Sequence, residues 1–331
     1  MDGVTDPINE TLLDQWQRDF PVTSRPFDEL ADALGISTQD VLDRLKMHCQ
    51  NGRVTRVGAT CAPNTVSAST LAALAAPEDR IEEIAAIIGA QPGVNHSYLR
   101  EDHWNLWFVV TGPDRAHVDA TIARIEKQTG RRVLDLRLVR PFNVDLGFSM
   151  RGAPAPLSSA RQVDITVFQD DDRPLLQALT KGLPLTPTPY ADIAATLGRA
   201  EADVLARVRA LVDAGIVSRL GVIVRHRALG WRANAMVVWD MPHDAITEAG
   251  PVLAVQPGIT LCYERVIVPG VWPYRLYSMI HARSRQDAFA VLDRVRALPA
   301  FQGVPCKPLF STRCFKQTGA MIDAAAAKET A

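Results

Sequence analysis

Side chains able to do chemistry crowd the second half of the chain. Arg225, His226 and Arg227 end one expected strand, and Trp231 and Arg232 follow the turn after it. Tyr263 and Arg265 alternate on a second strand, so a period of two puts them on one face. From Trp272 to His281, the residues Arg275, Tyr277, Met279 and His281 share a face, and Tyr274, Leu276, Ser278 and Ile280 take the other. Guanidinium groups pair with carboxylates through planar, permanently charged forks, and imidazole exchanges protons near neutral pH. Trp272 and Tyr274 add rings that could stack on a flat ligand. This set fits an anionic macrocycle. The plainer alternative is a solvated or dimer-facing sheet surface whose polar groups are satisfied. The first half keeps a smaller set, His96, Tyr98, Arg100 and His103.

Competing chemistry is not written elsewhere. The sequence holds no GxSxG, P-loop, HExxH or GxGxxG string, and His48, His117 and His243 read as solvent-facing. The 36 basic and 37 acidic residues leave a formal charge of -1, which excludes a broad positive field for nucleic acid or anionic membrane. Only six of the basic residues are lysine, a bias that base composition explains and that a polycarboxylate ligand also suits. Five cysteines without a CxxC pair argue against a disulfide framework and a structural zinc site, and fit a reducing cytoplasm. No apolar run approaches the roughly 18 residues of a membrane span, and the first residues lack a signal-peptide pattern.

The elements that carry these residues occur twice. A shift of 163 places Leu12 and Leu13 on Leu175 and Leu176, Leu34 and Gly35 on Leu197 and Gly198, and Gly58 on Gly221. Tyr98 and Arg100 match Tyr263 and Arg265 at 165, and Arg140 and Phe142 match Arg313 and Phe315 at 173. Each copy opens with a helix-turn-helix and a short strand, then reads βαββαβ, a ferredoxin-like unit. The expected fold class is therefore α+β. A tandem duplication of a winged or helix-turn-helix module plus a ferredoxin-like module forms an intramolecular pseudo-dimer. The expected boundaries are helix-turn-helix modules at 10–58 and 166–221, ferredoxin-like modules at 59–148 and 222–317, a linker at 149–165 and a tail at 318–331. The helices that would read DNA carry Asp40 and Asp43, or Glu201 and Asp203, which repel phosphate.

A helix-turn-helix joined to βαββαβ resembles the Lrp/AsnC regulators. The strings from His226 to Asn234 (HRALGWRAN) and from Trp272 to His281 (WPYRLYSMIH) are more specific. They look like the siroheme decarboxylases of the Lrp/AsnC-like superfamily, in the fused NirD–NirL form of haem d1 biosynthesis. The resemblance covers about residues 10 to 318. It implies a carboxy-lyase that removes carboxyl groups from two acetate side chains of siroheme, giving 12,18-didecarboxysiroheme; the alternative is an Lrp-like DNA-binding regulator with a small effector. No cofactor is required, because the substrate brings its own iron and electron sink. His96 and His281 are the expected catalytic residues, as proton donors or substrate-orienting groups, with ligation of the substrate iron as the other role open to either. Substrate binding falls to Tyr98, Arg100, Arg225, His226, Arg227, Tyr263, Arg265, Trp272, Tyr274 and Arg275. The family histidine of the NHSYLR string transfers to His96 alone and that of MIH to His281 alone, so the pocket can draw on one half or both. First-copy Asn105 and the residues after it depart from the WPY pattern, which leaves that half's own pocket in doubt. Expected partners are the tetrapyrrole, a second copy of the chain and NirG- or NirH-like subunits, with neither DNA nor membrane; the expected location is cytoplasmic.

Overall fold

The computed structural model describes residues 6–143, 163–323 and 325; most of the expected linker and the end of the expected tail lie outside them. The first copy gives α1 (Pro7–Gln15), α2 (Pro26–Leu34), α3 (Thr38–Gln50), β1 (Val54–Cys61), β2 (Ala68–Leu74), α4 (Ile81–Ala90), β3 (Val94–Arg100), β4 (Leu106–Gly112), α5 (Arg115–Thr129), β5 (Val133–Leu136) and β6 (Leu138–Asn143). The second repeats it as α6 (Arg173–Lys181), α7 (Pro189–Leu197), α8 (Glu201–Asp213), β7 (Val217–Val224), β8 (Ala233–Trp239), α9 (Ile246–Ala254), β9 (Ile259–Arg265), β10 (Leu276–Ala282), α10 (Arg285–Arg296) and β11 (Cys306–Gln317). Local chemistry sets the helix ends. Ser37 caps α3 by accepting from the Asp40 N–H, and α2 and α7 both start on proline and stop at a left-handed glycine, Gly35 or Gly198.

The compact units cut across the copies. Among the described residues, one unit holds 6–66 and 163–229, and the other 67–143 and 230–323. In the helical unit β1 and β7 pair antiparallel, with Gly58 opposite Gly221. Each glycine admits backbone from the other copy: a Cβ on Gly58 would lie 2.6 Å from the Leu179 carbonyl oxygen, and one on Gly221 would lie 2.4 Å from that of Trp16. The modules are thus exchanged, each resting on its sister's strand. His48 corrects the solvent-facing expectation. It is fully buried in α3, and neither ring nitrogen has a hydrogen-bond partner.

The other unit is a nine-stranded arrangement in the order β5-β2-β4-β3-β11-β8-β10-β9-β6. Here too strands are exchanged: β6 of the first copy pairs with β9 of the second, and the far end of β11 pairs with β3. One face of each copy's sheet packs on its own helices, through Phe108, Val110, Ile84 and Ile125 in the first copy and through Trp239, Ile280, Leu253 and Leu292 in the second. The opposite faces share one cluster containing Leu71, Trp107, Leu136, Met236, Tyr263, Trp272, Tyr277, Met279 and Leu309. This is the seam of the pseudo-dimer, and burial of apolar area on both copies stabilises it.

Candidate functional site

Polar side chains cross the seam face as a row. Strand pairing sets Ser311 opposite Arg100, Phe310 opposite Ala235 and Asn234 opposite His281. Arg100 on β3, Ser311 on β11, Asn234 on β8 and His281 on β10 therefore sit on four neighbouring strands. Three are nearly enclosed: Arg100 is 6%, His281 7% and Ser311 9% exposed. Arg100 Nη1 donates to the Leu309 carbonyl at 2.9 Å, while its Nε has no partner. The second copy repeats the device, Arg265 Nη1 donating to the Leu136 carbonyl at 2.7 Å with Nε again unmatched. Among the described residues neither guanidinium forms an ion pair with a carboxylate within 4.0 Å, although the Asp135 charge acts on Arg265 from farther off. Burial pushes both below the usual arginine range, because desolvation disfavours their charge. A buried cation short of acceptors is an anion site in waiting.

His281 is held from two sides. Thr260 Oγ1 lies 2.7 Å from Nδ1, and Asn234 Nδ2 lies 3.0 Å from Nε2. Thr260 also donates to the Met279 carbonyl at 3.2 Å. A hydroxyl with its proton so placed accepts from Nδ1–H, and the amide N–H₂ then donates to a bare Nε2. This assigns the neutral Nδ1–H tautomer. Burial first, and the nearby Arg100 charge second, lower its pKa to about 4. Thr260 reaches the ring through an irregularity in strand pairing, since Leu261 pairs with Met279 but Ile259 with Ile280. A bulge of this kind re-aims one side chain.

The other expected residues divide. His96, Tyr98 and Arg100 follow one another on β3; the His96 Nδ1 is 3.5 Å from the Tyr98 hydroxyl, and Arg100 lies over the Tyr98 ring at 5.6 Å. Tyr263 stacks on Tyr277 at 5.8 Å, with Arg265 over the Tyr263 ring at 4.6 Å. Trp272 lies inside the seam. Its indole N–H donates to the Tyr277 hydroxyl at 2.8 Å, and its ring meets Trp107 and Tyr274 at 5.3 and 4.8 Å. Tyr274 is half-buried beside Lys307, and Arg275 is half-buried just before β10. Arg225, His226 and Arg227 belong to the helical unit, directly after β7, with both arginines exposed. Thr260, Asn234 and Ser311 escaped the sequence reading. Asn234 closes the HRALGWRAN string, which was the available signal for it.

Two matching arginines of the helix-turn-helix modules are engaged internally. Arg44 on α3 binds Asp6 and Asn9 at 2.5 and 2.8 Å, and its counterpart Arg207 on α8 binds Asp172 at 2.5 Å. No group of three or more candidate metal ligands occurs among the described residues, and no described helix is long and apolar enough to cross a membrane.

Comparison with known proteins adds to this geometry. The family model described as siroheme decarboxylase NirDL-like HTH domain matches residues 9–54 and 172–217, and that of the AsnC-like ligand binding domain matches 66–142 and 228–316. A siroheme decarboxylase NirDL subunit of Paracoccus pantotrophus is 52% identical over 97% of this chain and 99% of its own length. A siroheme decarboxylase NirD subunit of Stutzerimonas stutzeri is 46% identical over 44% of this chain and 95% of its own. The crystal structure of a siroheme decarboxylase NirDL in complex with an iron-uroporphyrin III analogue superimposes with a TM-score of 0.68 at 24% identity. The match covers 97% of this chain and 96% of that one, and shows the shared fold.

Proposed function

The chain belongs to the NirDL family of siroheme decarboxylases, and on that premise we propose that it removes the carboxyl groups of two acetate side chains of siroheme, on the way to haem d1. The observation that supports the site most strongly is Arg100, a buried guanidinium without a carboxylate partner among the described residues, on the same row as a neutral His281. Arg100 takes a substrate carboxylate at the His281 row, gaining a charge-assisted hydrogen bond at Nε, and Arg265 is the matching carboxylate anchor of the first copy's row. Tyr98 and Tyr263 shape the same face, and Tyr274, which lies before β10 where strand alternation does not hold, packs on the seam cluster rather than on the opposite face expected for it. Arg275 is assigned on the resemblance alone, and stacking by Trp272 requires its packing on Trp107 to open. Arg225, His226 and Arg227 are assigned to substrate carboxylates on the resemblance alone.

In the reaction the bond between methylene and carboxylate carbons breaks, carbon dioxide leaves, and its electron pair passes into the tetrapyrrole. The methylene carbon then takes a proton and becomes a methyl group. No cofactor beyond the substrate is called for. At rest His281 carries no spare proton; a carboxylate arriving beside it favours the imidazolium and loads the donor. His96, beside the Tyr98 hydroxyl, is the second candidate donor, and either ring can serve instead as a ligand to the substrate iron. Assembly with a second copy or with NirG- or NirH-like subunits, and a reducing cytoplasmic location, belong to the same proposal. Anaerobic incubation with siroheme followed by mass analysis is the test. Loss of two carbon dioxides is expected; an unchanged mass, together with a sequence-specific DNA footprint, would reinstate the regulator.

A further inference from the structure

The row around His281 has a counterpart in the first copy. Pairing sets Leu138 beside Arg265 and Ser69 beside Thr111, as it sets Ser311 beside Arg100 and Asn234 beside His281. Asn95 takes the bulged position that Thr260 takes in the second copy. The first-copy row is thus Arg265, Leu138, Ser69 and Thr111, with Asn95 at its end.

This second row carries a cover made of the chain itself. Beyond β11 the residues Thr318–Ile322 turn over the ends of β3 and β4. The Thr318 N–H donates to the Asn95 carbonyl at 2.7 Å, and its hydroxyl reaches the same oxygen at 3.4 Å. The Met321 N–H donates to Thr111 Oγ1 at 2.8 Å. Ile322 is 1% exposed. Lys316 Nζ donates to the Gly89 carbonyl at 2.7 Å and fixes the strand end from which the segment departs. Thr111 also donates its own proton to the Gly93 carbonyl at 3.0 Å, so its hydroxyl has none to offer a carboxylate. The two residues gripped, Asn95 and Thr111, stand where the second copy has Thr260 and the reactive imidazole.

We propose that Thr318–Ile322 is a built-in plug over the first copy's version of the site, so that each chain binds one tetrapyrrole, at the His281 row. The inference rests on the siroheme decarboxylase reading. Removing the plug exposes a row that keeps the Arg265 anchor but has threonine in place of the imidazole, so the uncovered site binds without turning over.

The experiment is an anaerobic absorbance titration with siroheme of the full chain, a chain ending at Gln317, and an Ile322→Asp variant that evicts the segment while keeping its length. The full chain should saturate at one equivalent, and the shortened chain and the variant at two, with carbon dioxide release per chain unchanged in all three. Saturation at one equivalent by both altered chains, or at two by the full chain, overturns the plug. A full chain that binds one equivalent but releases no carbon dioxide refutes the decarboxylase reading while the stoichiometries still decide the plug. A full chain that binds no siroheme overturns both.

Discussion

At the scale of the residue, the proposed site turns on His281, an imidazole that burial keeps neutral in the fold. Its pKa of about 4 in the fold lies below the usual 6.5 because burial and Arg100 both penalise the charged ring. Substrate carboxylates reverse that balance, so siroheme binding near pH 7 is expected to take up about one proton per chain. Titration calorimetry in buffers of different ionisation enthalpy measures this, and a binding heat independent of buffer would contradict it. Period-two alternation was enough to find the face of Tyr277, Met279 and His281, and the packing agrees, because Leu276 and Ile280 point to the helices instead. The ring's partners were not legible. Thr260 reaches His281 through an irregularity that breaks the alternation, and Asn234 lies 47 residues away along the chain.

At the scale of the element, His48 shows a limit of helical periodicity. It shares α3 with the buried Val41, Leu42 and Leu45, and its counterpart at the same place in α8 is Leu211. Arg44, Arg53 and Asp6 are the charges around it, and burial foremost brings its pKa down to about 4. Replacing it by leucine, His48→Leu, removes two unpartnered ring nitrogens and should raise stability by about 1–3 kcal/mol. The unfolded ring takes a proton near pH 6.5 that the folded one refuses, so wild-type stability falls as pH drops from about 7 towards 4. The variant's advantage should widen over that window in denaturant titrations; an equal advantage at pH 7 and pH 5 would show that His48 does not titrate as described. Helices, turns and strands themselves were readable, since proline starts, glycine stops and Ser37 and Ser284 caps all lie in local sequence.

At the scale of the whole molecule, the duplication was plain in the sequence, but the exchange of parts between copies was not. Pairing of β6 with β9 and of β11 with β3 is a non-local choice that no local propensity encodes. It ties the copies through Glu264, fully buried between Arg140 and His243 at 2.8 and 2.7 Å. Each copy expressed alone would expose an unpaired strand edge and the apolar seam, and should aggregate or unfold at low urea. The two expressed together should recover a cooperative transition; independent stability of either copy would contradict the exchanged architecture. Whether a site spanning both copies works through His281 is decided by carbon dioxide release from siroheme in a His281→Thr chain, which gives the second copy the first copy's residue. Release should fall by roughly 100-fold or more, the usual contribution of a positioned proton donor, with siroheme still bound. Release at the wild-type rate would contradict it.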